Sequence, residues 1–115
     1  MQNDDDCIFC KIIKGKIPSK KIYEDDEILA FHDITPHAPI HFLVIPKRHI
    51  PDLTETADSE LLGKLVVKAR ELAVEQGCGE KGFRLVINCK SDAGQTVNHL
   101  HLHILGGRHL KWPPG

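Results

Sequence analysis

Three histidines stand at every second position in His99-Leu100-His101-Leu102-His103-Ile104-Leu105, with aliphatic residues between them. Successive side chains of a β-strand point to opposite faces. The spacing therefore predicts a strand with His99, His101 and His103 on one face and Leu100, Leu102 and Ile104 on the other. A helix would scatter the imidazoles around its circumference and leave every face mixed. The three cannot share one metal ion: residues two apart on a strand are about 6.7 Å apart, which separates His99 from His103 by about 13 Å, against zinc–nitrogen bonds of about 2.0–2.1 Å. Imidazole is also a nucleophile and a general acid near neutral pH, and a row of them suits an anionic group that must be attacked while its leaving group is protonated. Phosphorus is the natural target. The bland alternative is a polar sheet face open to solvent, where Thr, Lys and Glu would be more ordinary residues.

The segment ahead of the histidines, Ser91-Asp92-Ala93-Gly94-Gln95-Thr96, is small and polar. Gly94 admits close approach of a ligand to the backbone, successive N–H groups there could form an anion nest, and Asn88, Gln95 and Thr96 add neutral donors. No Walker-type phosphate loop occurs, and neither a kinase nor a dinucleotide oxidoreductase is expected. Cys7 and Cys10 form a C-x-x-C pair, which reads as redox chemistry, as a metal site, or as two reduced thiols packed as small hydrophobes. A redox pair usually follows a strand, and almost nothing precedes Cys7. Cys78 and Cys89 read as free thiols.

Several elements must position these groups. Apolar Ile8, Phe9, Ile12 and Ile13 predict a short helix closed by Gly15 and Pro18. Lys21-Ile22-Tyr23-Glu24 and Glu27-Ile28-Leu29-Ala30-Phe31-His32 read as strands of a hairpin around Asp25-Asp26. Asp33 to Pro39 is a loop, its two prolines removing ladder donors. His41-Phe42-Leu43-Val44-Ile45 reads as a central strand ending at Pro46, and Lys47 to Pro51 as a turn. The one long helix is expected from an N-cap at Asp58, with Leu61, Leu62, Leu65, Val66, Ala69, Leu72 and Ala73 as its apolar stripe and Gly77 and Gly79 as its stop. Phe83-Arg84-Leu85-Val86-Ile87-Asn88 is a further strand. Trp112-Pro113-Pro114-Gly115 is an extended tail that needs a surface to lie on.

With 115 residues, the chain is expected to form one domain. A hydrophobic fraction of 41% and a charged fraction of 27% are those of an ordinary globular protein, and a net charge of -1 gives no reason to expect a nucleic-acid polymer or a membrane as partner. No apolar run approaches the roughly 20 residues of a membrane span, and the acidic start of the chain is unlike a signal peptide, so the expected location is the cytoplasm. Residues 1–6 read as a flexible acidic leader.

His99-Leu-His-Leu-His-Ile-Leu resembles the His-φ-His-φ-His-φ-φ signature of the histidine triad (HIT) family. The rest of the chain is similar to its Hint branch of nucleotide-binding proteins, through Ile8-Phe9, Glu24-Asp25-Asp26, Ala30 to Ile34, Ala38 to Pro46, Gly94-Gln95 and Trp112-Pro-Pro-Gly. The resemblance implies a single HIT domain over 1–115 with an extended tail over 108–115. It also implies an α+β, HIT-like fold: a five-stranded, mainly antiparallel sheet with one short and one long helix, dimerising into a continuous sheet.

The implied activity is hydrolysis of purine nucleoside phosphoramidates or acyl-adenylates, releasing AMP or GMP through a nucleotidylated histidine, with no catalytic cofactor. His101 would be the nucleophile, His103 the phosphate and leaving-group partner, and His41 the support behind them. Asn88, Gly94, Gln95 and Thr96 would hold phosphate oxygens. Asp33 would take the ribose hydroxyls, and Ile8, Phe9, Ile12, Phe31, His32 and Ile34 would line the base pocket, although the same apolar side chains would equally serve a core. Trp112 would reach the leaving group at the partner's site. Some bacterial triad proteins and the related galactose-1-phosphate uridylyltransferases hold structural zinc with such a cysteine pair, and Cys7, Cys10, His49 and His99 make a matching set. His37 and His109 are expected on the surface. Two other functions fit the same residues: a nucleotide-binding interaction module with weak catalysis, and a dinucleoside polyphosphate hydrolase as in the Fhit branch.

Overall fold

The computed structural model describes residues 6–115, so the leader expected over 1–6 lies outside the described residues except for Asp6. Among these the chain runs α1 (Ile8–Ile13), β1 (Lys21–Glu24), β2 (Ile28–His32), β3 (Ile40–Pro46), α2 (Ser59–Glu75), β4 (Phe83–Val86) and β5 (Leu102–Gly106), with 3-10 turns at Leu53–Glu55 and Ser91–Ala93. The strands form one five-stranded sheet in the order β1-β2-β3-β5-β4. Each neighbouring pair is antiparallel. This is the expected α+β architecture, with β3 at its centre. The β1–β2 hairpin turns on Asp25, whose Oδ1 accepts the N–H groups of Glu27 and Ile28, both at 2.8 Å.

Strand alternation divides the molecule into two faces. Ile28 and Ala30 of β2, Phe42 and Val44 of β3, and Leu102 and Ile104 of β5 point to one side, where they pack with Leu61, Leu65, Ala69 and Leu72 of α2. Leu29, Phe31, Leu43 and Ile45 point to the other, against Cys7, Phe9, Cys10 and Ile12. His41 has the parity of Leu43, and Leu43 pairs with His103. The histidines therefore share the α1 side of the sheet, while the α2 side is an apolar core.

The long helix forms where its caps and stripe require. Asp58 accepts the N–H of Leu61 at 3.0 Å. At the other end the N–H of Cys78 donates to Ala73 and that of Gly77 to Val74, a Schellman closure that needs Gly77 at φ +94°. Each buried leucine of α2 contributes roughly 1.5–3 kcal/mol. Val66 departs from the expected stripe: it is 44% exposed, and Val67 and Val74 on the helix are likewise half exposed. Gly77-Cys78-Gly79-Glu80-Lys81-Gly82 has the letter spacing of a dinucleotide fingerprint. It closes a helix and leads into β4, however, whereas that fingerprint must leave a strand and open a helix.

The histidine strand is shorter than its pattern predicts. Only Leu102–Gly106 joins the ladder, and His99 lies in a bend, with His101 just ahead of the strand. The last pairing with β3 is Val44 to Leu102. Beyond it Pro46 has no N–H to donate, and its carbonyl accepts the His99 Nε2–H at 2.8 Å instead. The alternation survives without the ladder, because Leu100 is held in the α2-side core and its N–H donates to Ile50 at 2.7 Å. Likewise β4 stops at Val86, leaving Ile87 and Asn88 beyond the pairing.

Candidate active site and metal centre

His101 sits where β5 begins, buried to 5% exposure, with its ring centroid 4.9 Å from that of His103 and 5.1 Å from that of Phe9, which meets it edge-on. Its Nδ1–H donates to the His99 carbonyl at 2.6 Å. A carbonyl can only accept, so in the neutral ring the proton is on Nδ1 and the lone pair is on Nε2. His41 carries the opposite tautomer: its Nδ1 accepts the backbone N–H of His37 at 3.0 Å, which leaves the proton on Nε2. That proton faces His103 Nδ1 at 3.0 Å and Asp33 Oδ2 at 3.4 Å. Since His103 Nδ1 accepts, His103 keeps its own proton on Nε2. The arrangement yields one basic nitrogen, on His101, and one N–H donor, on His103.

Burial keeps all three rings neutral. It lowers the pKa of His101, opposed by the His99 carbonyl and by Asp33. It takes His103 down to about 4, helped by His101 and His41, and it lowers His41 against the pull of Asp33. An unprotonated imidazole is the nucleophilic form. A phosphate brought into this cluster would act in the opposite sense, since a nearby negative charge favours protonation.

Asp33 Oδ1 accepts the backbone N–H and the hydroxyl of Thr35. Beside it opens a cleft of about 740 Å³ lined by His32, Asp33, Ile34 and His41 together with Ser19 and Lys20. Ile34 is 93% exposed there. Phe9, Ile12 and Phe31 are instead buried in the α1-side cluster, with Phe9 edge-on to Phe31 at 5.5 Å, and Ile8 is half exposed. The set expected around a base is thus split between an open cleft and a core. Asn88 follows Val86, which pairs with His103. The N–H groups of Gly94 and Gln95, expected to form an anion nest, turn back to the carbonyls of Ser91 and Lys90. The Gln95 amide is likewise engaged with backbone, and Thr96 is exposed. Trp112 is 80% exposed, and the tail is held to β4 by the Arg84 guanidinium, which donates to the carbonyls of Leu110 and Lys111. His109 is exposed as expected. Two contributors were missed: His37, whose N–H sets the His41 tautomer, and Arg108, which donates to the His37 carbonyl at 2.8 Å. His37 acts through its backbone N–H and carbonyl, which leave no mark in side-chain type, and Arg108 reaches that carbonyl with its guanidinium.

Cys7, Cys10, His49 and His99 converge, their ligand atoms all within 4.8 Å of one another. Cys7 Sγ is 3.4 Å from His99 Nδ1, Cys10 Sγ is 3.3 Å from His49 Nδ1 and 3.6 Å from His99 Nδ1, and the two Nδ1 atoms are 3.3 Å apart. A tetrahedral zinc with ordinary bond lengths has sulfur–nitrogen edges of about 3.5 Å and nitrogen–nitrogen edges of about 3.3 Å. The His99 Nε2–H on the Pro46 carbonyl also fixes the tautomer with a bare Nδ1, the usual outer partner of a metal-bound histidine. The donor set and its spacing fit zinc.

The HIT domain model matches residues 14–110. The chain belongs to the HIT family. An uncharacterized HIT-like protein of Synechocystis is 54% identical over 113 residues, covering 96% of this chain and 98% of its own length. A HIT family hydrolase from Legionella pneumophila Philadelphia 1 superposes with a TM-score of 0.93 at 51% identity, over 95% of this chain and 99% of that one. A histidine triad protein from Clostridium difficile gives 0.89 at 48% identity, over 96% and 97%. The HIT match takes in His49 and the triad histidines but starts after α1, so the two cysteines of the candidate metal cluster lie outside the matched segment.

Proposed function

We propose that this HIT protein hydrolyses purine nucleoside phosphoramidates or acyl-adenylates, releasing AMP or GMP through a covalent nucleotidyl-His101 intermediate. The observation that carries the reading is the 2.6 Å hydrogen bond from His101 Nδ1 to the His99 carbonyl, which leaves the lone pair on Nε2 of a ring packed against His103. Nε2 attacks the α-phosphorus as the bond from phosphorus to the amine or acyl oxygen breaks. With the substrate phosphate bound, His103 takes up a second proton, passes one from Nε2 to a leaving amine and is left neutral; a leaving carboxylate needs none. Water then attacks the phosphorus, the bond to His101 Nε2 breaks, and the water proton returns to His103, or goes to solvent after a carboxylate has left, as AMP departs. His41 holds His103 in the donating tautomer. Asp33 accepts from ribose hydroxyls in the cleft with His32 and Ile34, Asn88 and Thr96 serve the phosphate, and Phe9, Ile12 and Phe31 wall the base side.

In the same proposal Cys7, Cys10, His49 and His99 hold a structural zinc, which supplies a cross-link between α1 and the segment before β5, and no cofactor takes part in the chemistry. The protein acts as a cytoplasmic homodimer with neither a nucleic-acid polymer nor a membrane as partner. Among the described residues no helix is long and apolar enough to cross a membrane. Support for the dimer is the position of β4 at the sheet edge together with the half-exposed Val67 and Val74 of α2; Trp112 would then reach the partner's leaving group.

The test is release of AMP from an adenosine phosphoramidate, compared with a diadenosine polyphosphate. The phosphoramidate should be the faster substrate, and His101→Ala should lower its turnover by about 10³-fold or more while AMP binding survives. Retention of most of the turnover by the variant would overturn the assignment of the nucleophile.

A further inference from the structure

Among the described residues Lys90 is the one non-glycine residue with positive φ, at φ 66° and ψ -169°, a region that side chains other than glycine's rarely enter. Its side chain is exposed, so no burial compensates the strained backbone. What holds it is Gln95. The Lys90 N–H donates to Gln95 Oε1 at 2.8 Å, and the Gln95 N–H returns to the Lys90 carbonyl at 3.1 Å. The other end of the same amide donates to the carbonyls of Pro51 at 2.8 Å and Val97 at 2.9 Å. One side chain thus ties the start of the 90–96 loop to the turn that carries His49 and to the residues leading into His99.

We infer that Gln95 is a positioning residue: its amide holds Lys90 in the left-handed conformation and so fixes the shape of the 90–96 loop against the histidines. This rests on the reading that the loop receives the substrate phosphate. It assigns Gln95 a different task from that of a phosphate donor, because both its N–H groups and its oxygen already have backbone partners. Glycine at position 90 adopts the same conformation without strain. The two positions are then coupled in a way that a direct phosphate contact would not be.

The experiment compares the full chain with Gln95→Ala, Lys90→Gly and the double variant, reading melting temperature, AMP affinity by calorimetry, and kcat and KM for an adenosine phosphoramidate. Lys90→Gly should raise the melting temperature by about 5 °C. Gln95→Ala should lower melting temperature, and weaken AMP binding and kcat/KM by about tenfold. In the Lys90→Gly background the same Gln95→Ala change should cost a smaller melting-temperature shift, the part that remains being the lost bonds to Pro51 and Val97, and AMP affinity should recover to within about threefold of wild type. Additive effects in both readouts, or a tenfold loss of AMP affinity that Lys90→Gly does not relieve, would overturn the inference. If wild type binds no AMP, the nucleotide reading fails on its own, and additivity or coupling in melting temperature still decides whether Gln95 carries the strain of Lys90.

Discussion

Three neutral imidazoles packed on one sheet face define the chemistry available at residue scale. The signs of their shifts give a pH dependence. His103 has an ordinary value of 6.5 and is held at about 4 in the folded chain, with His101 and His41 displaced in the same direction. Between those values the unfolded chain binds more protons than the folded one, so stability is fully present above about pH 6.5 and falls as the pH drops towards 4. Urea midpoints measured from pH 7.5 to 4.5 should decline, and the His41→Asn, His103→Asn double variant should flatten that decline. A midpoint independent of pH across this range would contradict buried neutral rings. Roles for the triad could be expected from the sequence only through the family resemblance, since spacing alone makes three histidines equivalent. Their tautomers were not legible at all: they depend on the carbonyls of His99 and Pro46 and on the N–H of His37.

At the scale of elements, alternation was readable wherever an apolar residue had a core to enter. Leu100, Leu102 and Ile104 fixed the facing of the histidine segment even though the ladder starts only at Leu102. The early end of the ladder was hidden because it depends on which residue of β3 stands opposite, and that residue is Pro46. Val66 was misplaced for a similar reason, as a 3.6-residue period does not say how wide a stripe the sheet covers. The six-residue α1 is too short to be stable by itself and depends on what it is fastened to. Elemental analysis after purification without chelator should find about one zinc per chain, absent in Cys7→Ser, Cys10→Ser. Amide exchange in α1 should quicken in that variant while α2 stays protected. Metal-free wild-type protein with a protected α1 would show that the thiols pack without zinc.

The described residues form one sheet with an apolar core on its α2 face and the histidines on the other, where Phe9 of α1 and the cysteine pair lie against them. The elements followed from the strand and helix periods and the α+β class from the family resemblance, whereas the strand order comes from the structure. The division of labour between the faces followed from parity along β2, β3 and β5. The dimer is a prediction at this scale: sedimentation should give about twice the 12.9 kDa chain mass, and Val67→Lys with Val74→Glu should shift it to monomer. A monomeric wild type would remove the route by which Trp112 reaches a second site. Whether His101 carries the nucleotide is read by rapid acid-free quenching during turnover of an adenosine phosphoramidate, followed by peptide mass mapping. One adenylate is expected on His101, absent in His101→Ala and discharged by water as AMP. Full turnover with no adenylate trapped on any histidine would contradict the assignment of His101 as nucleophile.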